Sequence, residues 1–445
     1  MNNYDIIIIG SGPGGYRTAA YAAQHGMSVT IIERAEAGGT CLNSGCIPTK
    51  ALCHDAELAA LGVHACFAAM MQRKQAIVEQ LRGGVEQLMQ QPGITFVRGT
   101  ARLKDRHTVV VNVSEEGGGA CSADASFTAP HIIIATGSRA KMPPIDGIGI
   151  EGVVTSTELL SIDRQPQRLV IIGAGVIGLE FANIFRSLGS EVTVIEFQKE
   201  CLPAMDGDIA KRLRKLLEKR GVEFSMQSGV QSITRDGCLH VSYQKKGKEV
   251  TVDADLVLVA TGRAANVEGL GLEDAGVECD RRGIVVNPDT FETNVSGIYA
   301  IGDVNGRQML AHAATYQGLR VVNHILGRKD DINLDIMPAA VFTQPEAACV
   351  GLTEEQLKEA STIFTTHKGY YRSNGKALAI NETEGIVKLF TDEQDRILGC
   401  HILGAHASDM VQEVATLMNR QGTLQQLRDT VHIHPTLSEI LTELT

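Results

Sequence analysis

The chain has 445 residues, 44% of them hydrophobic and 21% charged, so at about 150 residues per domain it holds two to four globular domains. With 41 Lys and Arg against 52 Asp and Glu the formal net charge is −11, and no basic stripe interrupts that balance, which excludes nucleic acid as an expected partner. No apolar run approaches the ~18 residues of a membrane span, and an apolar strand begins almost at the N-terminus in place of a leader, so no membrane is expected and the expected location is cytoplasmic.

Residues 4–9 (YDIIII) read as a buried parallel strand running into Gly10-Ser11-Gly12-Pro13-Gly14-Gly15. A helix through Gln24 and a strand over 28–32 follow, closed by Glu33. Strand, GxGxxG, helix, strand and acid form the order that a dinucleotide site requires. The first Gly permits the tight turn, and the second lets backbone amides approach a pyrophosphate. The third allows close helix packing, and the helix N-terminus supplies the positive end of a dipole. An acid about 20 residues further on accepts hydrogen bonds from a ribose. The layout then recurs. Residues 168–172 (RLVII) lead into Gly173-Ala174-Gly175-Val176-Ile177-Gly178, a helix through Leu188, a strand over 191–195 and Glu196. Each copy later reaches Ala-Thr-Gly, ending at Gly137 in HIIIATG and at Gly262 in DLVLVATG. Two dinucleotide sites are therefore expected. Residues 137–152 are Gly- and Pro-rich and read as a link. After Arg263 a loop-rich stretch reaches GIYAIGD, which ends at Asp303. Beyond about residue 335 strands at 385–390 and 397–403 alternate with amphipathic helices, one opened by the capping box Thr353-Glu354-Glu355-Gln356.

Eight of the ten cysteines, at 53, 66, 121, 201, 238, 279, 349 and 400, are scattered and read as small buried hydrophobes. Cys41 and Cys46 differ, sitting together in GGTCLNSGCIPTK ahead of a helix expected over 50–61. A helix start and Lys50 both stabilise a thiolate, the nucleophilic form. Such a dithiol beside a dinucleotide site is suited to passing two electrons to an external disulfide. A structural disulfide would suit an oxidising compartment instead, and zinc would want a further Cys/His pair at ligand spacing, so no metal is expected. Near the C-terminus, HIHPTLSE places His434 five residues before Glu439. That is either an oriented acid–base pair or a surface His ahead of a helix, and His432-Ile433-His434 has no evident third ligand for a metal.

Together, GSGPGG, GGTCLNSGCIPTK, ATGS, GAGVIGLE, ATGR, YAIGDV and HPTLSE resemble the flavin-dependent pyridine nucleotide-disulfide oxidoreductases over essentially the whole chain, the dihydrolipoamide dehydrogenases among them most of all. The resemblance implies an α/β chain of two Rossmann-like dinucleotide-binding domains, for FAD and NAD, plus a C-terminal α+β dimerisation domain. Residues 1–147 would form the first part of the FAD domain, 148–266 the NAD domain, 267–334 a segment returning to the FAD domain, and 335–445 the interface. Gly10, Gly12, Gly14, Gly15, Glu33, Gly137 and Asp303 would hold FAD, lined by backbone at Ala101 and Ala311. Lys50 would lie by the flavin's reactive edge, paired with Glu180 of the second motif. Gly173, Gly175, Gly178 and Glu196 would hold NAD, with Val230 and Gly262 nearby. Cys46 is implied as the thiol against the flavin and Cys41 as the interchange thiol. His434, oriented by Glu439, would be the acid–base residue serving the partner subunit of a homodimer.

The activity so implied is oxidation of a protein-bound dihydrolipoamide with reduction of NAD⁺ through a Cys41–Cys46 disulfide. Glu196 favours NAD over NADP, because a carboxylate accepts a hydrogen bond from a 2′-hydroxyl and repels a 2′-phosphate. Ser44 and Thr49 replace the family's commoner Val and Ser, and Cys53 lies two helical turns beyond Cys46. The alternative is NAD(P)H-dependent reduction of another small disulfide, a metal or an oxidant, with a non-catalytic nucleotide-binding scaffold a remoter one. Mercuric reductases carry a terminal cysteine pair, whereas the last cysteine here is Cys400, so that substrate is not expected.

Overall fold

The computed structural model describes residues 2–63, 66–113 and 124–445. The chain divides into two compact units. The first takes in Met1–Ala51, Met71–Lys141 and Arg263–Leu334, and the second Leu52–Met70, Met142–Gly262 and Asp335–Thr445.

The first unit is built on an eight-stranded sheet. Its order is Asn2–Asn3, Asp124–Thr128, Thr108–Val113, Ile94–Leu103, Val29–Glu33, Ile6–Ile9, His131–Ile134 and Ile298–Ala300. Ile6–Ile9 runs parallel to both Val29–Glu33 and His131–Ile134, and all four of its isoleucines are buried. A strand covered on both faces needs apolar side chains at every position, which is why YDIIII shows no alternation. The helix Pro13–Gln24 follows, with Pro13 at its first position, where a missing amide costs nothing. Ile298–Ala300 adds to the sheet beside His131–Ile134, in parallel. The stretch after Arg263 thereby returns to the unit that the chain left at Lys141.

In the second unit, a parallel sheet runs Val222–Ser225, Glu191–Ile195, Arg168–Ile172, Leu256–Val259 and Val153–Val154. An antiparallel meander of Ser228–Asp236, Cys238–Lys245 and Lys248–Ala254 shares a core with it, through Val170, Ile172, Val241, Tyr243 and Val257. Residues 335–445 form an antiparallel five-stranded sheet, ordered Ala339–Val341, Ala347–Gly351, Ile397–Leu403, Ile386–Thr391 and Thr365–Tyr370. Its core packs Tyr371, Leu389, Cys400 and Ile402 against Val411 and Val414 of the helix Ala407–Met418. The expected capping box is present: Thr353 accepts from the Gln356 amide, and Gln356 accepts from the Thr353 amide.

A buried ion network joins the two parts of this unit. Asp206 caps the helix Gly207–Lys219 and takes both of its oxygens to Lys388 Nζ, at 3.0 and 2.9 Å. Lys388 also meets Glu354 at 2.5 Å. Burial disfavours its charge, but the two carboxylates more than offset that and raise its pKa. Hydrogen bonds from Lys358 and Lys388 in turn pull Glu354 down to about 2.

Among the described residues no helix is long and apolar enough to cross a membrane. The scattered cysteines depart from the packing expectation. Cys53, Cys201 and Cys400 are buried and Cys349 and Cys238 half-buried, while Cys66 and Cys279 are exposed; Cys121 lies outside the described residues.

Candidate active site

The first glycine loop joins Ile6–Ile9 to Pro13–Gln24. Gly10 has φ +103°, and a Cβ there would lie 2.4 Å from the Ala135 carbonyl oxygen. A Cβ at Gly15 would lie 1.9 Å from the Gly10 carbonyl, so helix and strand approach as closely as backbone allows. Glu33, at the end of the next strand, reaches back to the loop. Its Oε2 accepts from the Ser11 amide and hydroxyl, both at 2.8 Å, and Oε1 accepts from the Ala35 amide at 2.9 Å. Two further segments crowd this loop: a Cβ at Gly39 would lie 2.5 Å from Gly12 Cα, and one at Gly14 would lie 3.2 Å from Ala314 Cβ. Asp303 sits in a short 3-10 turn, Gly302–Asn305, where it accepts from Ser138 Oγ and pairs with Arg263 at 3.8 Å. Ala311 opens the helix Ala311–Ile325, and Ala101 is buried within Ile94–Leu103. The Gly137 carbonyl accepts from the Asn266 amide at 2.9 Å.

Gly39 also begins the helix Gly39–Ser44, which carries Cys41. That helix stops at Gly45, and a new one, Cys46–Ala60, starts at once with Cys46 in its first position. The turn between them leaves no room for a side chain, since a Cβ at Gly45 would lie 2.8 Å from the Thr40 carbonyl oxygen and 3.2 Å from Cys41 Cα. This fold-back makes a five-residue spacing short enough for two sulfurs to meet. The Cys41 thiol is hydrogen-bonded to Cys46, and that bond, with burial adding to it, raises the Cys41 pKa. Cys46 lies at a helix N-terminus, where a thiolate is favoured. Lys50, one turn further on, acts on Cys41 in the opposite sense, through its charge. The helix had been expected from residue 50; it begins earlier because Gly45 breaks the chain cleanly and the Thr49 amide and hydroxyl both donate to the Gly45 carbonyl.

Asn43 braces the Cys41 helix. Its Nδ2 donates to the Ala37 and Gly39 carbonyls, and its Oδ1 accepts from Arg82 Nε at 2.9 Å. Sequence reasoning had passed over Asn43, as it had Ser138 and Arg263, although each lies inside or directly after a quoted motif.

The second loop repeats the plan. Gly173 has φ +110° with a Cβ position 2.4 Å from the Ala260 carbonyl oxygen, and a Cβ at Gly178 would lie 2.1 Å from the Gly173 carbonyl. Glu196 accepts from the Ala174 amide through Oε2 and from the Gln198 amide through Oε1, both at 2.6 Å. A Cβ at Gly175 or at Gly262 would meet nothing within 4 Å. Phe197, 77% exposed beside Glu196, lies against Gly229, next to Val230. An exposed aromatic directly after Glu196 is a signal that the sequence itself carries. Glu180, on the helix Val176–Ser187, is buried and accepts from the Phe342 amide at 3.0 Å.

The two C-terminal histidines differ sharply. His432 is enclosed, with Nε2 on Glu413 at 2.9 Å and Nδ1 on the Thr430 carbonyl at 2.8 Å. His434 is 81% exposed, and only Nδ1 is engaged, at 2.9 Å from Glu439 Oε1. Glu439 accepts from the Thr436 amide at 2.7 Å; that bond first, and His434 second, hold its carboxyl below the usual range. With a carboxylate fixed on Nδ1, the hydrogen bond assigns the ring proton to that nitrogen and leaves Nε2 able to take a proton.

Comparison with known proteins gives the same picture. Residues 4–318 match the family described as pyridine nucleotide-disulphide oxidoreductase, and residues 337–445 match its dimerisation domain. The chain is 38% identical to a leghemoglobin reductase of Glycine max, over 99% of this chain and 86% of that protein. It is equally similar, at 38%, to the mitochondrial dihydrolipoyl dehydrogenase of Pisum sativum (99% and 90%) and to a dihydrolipoyl dehydrogenase of Haloferax volcanii (99% and 95%). Among solved structures, the HOCl-induced flavoprotein disulfide reductase RclA from Escherichia coli superimposes with a TM-score of 0.89 at 32% identity, over 99% of each chain. Twin glycine loops, one with a dithiol against it, define a flavoprotein oxidoreductase that works on disulfides. The chain belongs to the pyridine nucleotide-disulphide oxidoreductase family, and its cofactors are FAD and NAD(H). The cradles fit that assignment, since both loops keep side chains away from where a pyrophosphate meets backbone amides.

Proposed function

We propose that the chain is a dihydrolipoyl dehydrogenase, oxidising a protein-bound dihydrolipoyl group to the disulfide while NAD⁺ becomes NADH and a proton is released. The observation that carries this reading is the fold-back at Gly45, which sets Cys46 at a helix start with Cys41 hydrogen-bonded to it. A substrate thiolate attacks Cys41 Sγ of the oxidised pair, breaking the Cys41–Cys46 bond and leaving Cys46 as the thiolate. The second substrate thiol then closes the substrate's own disulfide and releases Cys41. His434 Nε2 takes the thiol proton, with Glu439 supporting the imidazolium. In the homodimer that the dimerisation domain supports, this acid–base pair serves the partner subunit's disulfide. Bound FAD supplies the two-electron carrier between the dithiol and NAD⁺. On the protein side, Gly10, Gly12, Gly14, Gly15, Glu33, Gly137 and Asp303 hold FAD, with Ala101 and Ala311 lining it. Gly173, Gly175, Gly178 and Glu196 hold NAD, with Val230 and Gly262 beside it and Phe197 offering its ring as a wall for the adenine.

The similarity to RclA favours a second reading, NAD(P)H-driven reduction of another disulfide or an oxidant. Steady-state rates separate the two. Dihydrolipoamide with NAD⁺ is expected to turn over at least tenfold faster than NADH with glutathione disulfide or hypochlorite, and the reverse order overturns the dehydrogenase reading. Cys46→Ser is expected to retain yellow FAD absorbance and to lose lipoamide turnover by about a thousandfold or more, as removal of a covalent nucleophile does.

A further inference from the structure

Far from the glycine loop of the second unit, three chemically different donors converge on one face of the meander. Cys238 and His240 are two residues apart on the strand Cys238–Lys245, so both side chains point to the same side. Asp253 stands directly opposite His240 on the neighbouring antiparallel strand Lys248–Ala254. The sheet thus delivers a thiol, an imidazole and a carboxylate to one spot, and one ligand atom from each lies within 4.8 Å of the others.

Cys238 Sγ lies 3.9 Å from His240 Nε2. Two such ligands on a tetrahedral zinc are about 3.5 Å apart, from Zn–S and Zn–N bonds of about 2.3 and 2.0 Å. A few tenths of an ångström of side-chain adjustment would close the difference. The other ring nitrogen, Nδ1, sits 2.7 Å from Asp253 Oδ1, the carboxylate–imidazole contact that orients a ligating histidine. The Asp236 carbonyl oxygen, at the hairpin end, lies 3.4 Å from Nε2.

Three carboxylates, those of Asp236, Asp253 and Asp255, lie around the site against one guanidinium, that of Arg168. Arg168 is the nearby positive group; it also hydrogen-bonds Cys238, but Asp255 holds it most closely, accepting from its amide at 2.9 Å and from its guanidinium at 2.7 Å. Arg168 also pairs with Asp253, at 3.5 Å. The donors, a thiolate sulfur and an imidazole nitrogen, match a borderline-soft divalent ion better than Mg²⁺ or Ca²⁺, which want oxygen alone.

We propose that Cys238 Sγ and His240 Nε2, with Asp253 holding the imidazole from Nδ1, form a binding site for one zinc-class divalent cation, separate from the redox dithiol and from the NAD loop. Binding displaces the Cys238 thiol proton to solvent, and water completes the coordination. Arg168 opens the strand whose far end enters Gly173, so about 16 Å of strand separates this site from the glycine loop. Occupancy is therefore readable without touching the catalytic groups.

The test uses the oxidised FAD-loaded protein, in which Cys41 and Cys46 are tied up with each other, and Zn²⁺ alone as probe. Equilibrium dialysis with metal analysis is expected to find one Zn²⁺ per chain. Cys238→Ser and His240→Gln should weaken it about 100-fold, and Asp253→Asn about 10-fold, while FAD content and NADH-driven turnover stay at wild-type levels. As a second readout, saturating Zn²⁺ should protect Cys238 from iodoacetamide by at least tenfold, measured on the peptide by mass spectrometry. Binding that is unchanged in Cys238→Ser and His240→Gln, or a Cys238 alkylated equally fast with Zn²⁺ present, overturns the assignment.

Discussion

At the first glycine loop, a side chain at Gly39 would strike Gly12 and Ala314 stands against Gly14; at the second, a Cβ at Gly175 meets nothing within 4 Å and the residue equivalent to Gly14 is Ile177. Strand, turn, helix and acid follow one another in the same order at both, and Glu33 and Glu196 each accept from the loop amide. The shared plan explains why each loop takes a dinucleotide. What stands beside each loop fits the division between a cofactor that stays and one that comes and goes. The crowded loop is closed in by the dithiol helix and by the returning segment, so a ligand there is hemmed in by several parts of its unit. Beside the more open loop Phe197 is exposed, and the Leu202 amide donates to the Ala174 carbonyl at 3.1 Å.

Exchanging the fourth loop position is the severest way to break that contrast. Gly14→Ile drives a branched side chain into Ala314 and Ile301, an overpacking expected to cost about 3 kcal/mol and to release FAD on gel filtration. The reciprocal Ile177→Gly should cost only about 1 kcal/mol of helix propensity and leave FAD in place. Equal flavin loss in both variants would remove the distinction between a closed and an open loop.

A smaller effect sharpens it. Each acid makes charge-assisted hydrogen bonds, worth about 1.5–3 kcal/mol apiece, or roughly 10- to 150-fold in binding. Glu33→Gln is expected to weaken FAD retention by at least tenfold with KM for NADH unchanged. Glu196→Gln should instead raise KM for NADH by about tenfold and narrow the wild-type preference for NADH over NADPH. Titration of apo-protein with FAD and steady-state kinetics with both nucleotides give the two numbers, and wild-type enzyme equally active with NADPH would contradict the role given to Glu196.

The smallest expected effect concerns how the second unit holds its two parts together. Glu354 has a folded-state pKa of about 2, well below its ordinary value, so its contribution is fully present above the unfolded pKa and lost as pH falls toward 2. Urea unfolding monitored between pH 5 and pH 2 should therefore show a shallower loss of stability in Glu354→Gln than in wild type. Parallel curves for the two proteins would mean that the network contributes nothing there.

Short-range pattern made much of this legible in the sequence. The glycine loops, Glu33, Glu196, the Cys41 and Cys46 pair and the His434 and Glu439 pair all lie within a few residues or one repeat unit of their partners. Local chemistry also announced the Thr353 capping box. Contacts between distant residues left no trace. Asn43 meets Arg82 across 39 residues, Glu180 meets Phe342 across 162, and Asp206 meets Lys388 across 182. Cys238 and His240 were visible as neighbours, yet Asp253 joins them only through strand register, and a one-residue slip would turn it to the other face.

Gly45 sets a limit of another kind. Any missense change in its codon adds at least a Cβ, and that atom lands 2.8 Å from the Thr40 carbonyl oxygen. No variant at position 45 therefore leaves the two sulfurs where they are. A lineage carrying this turn has no neutral steps open to it at that position.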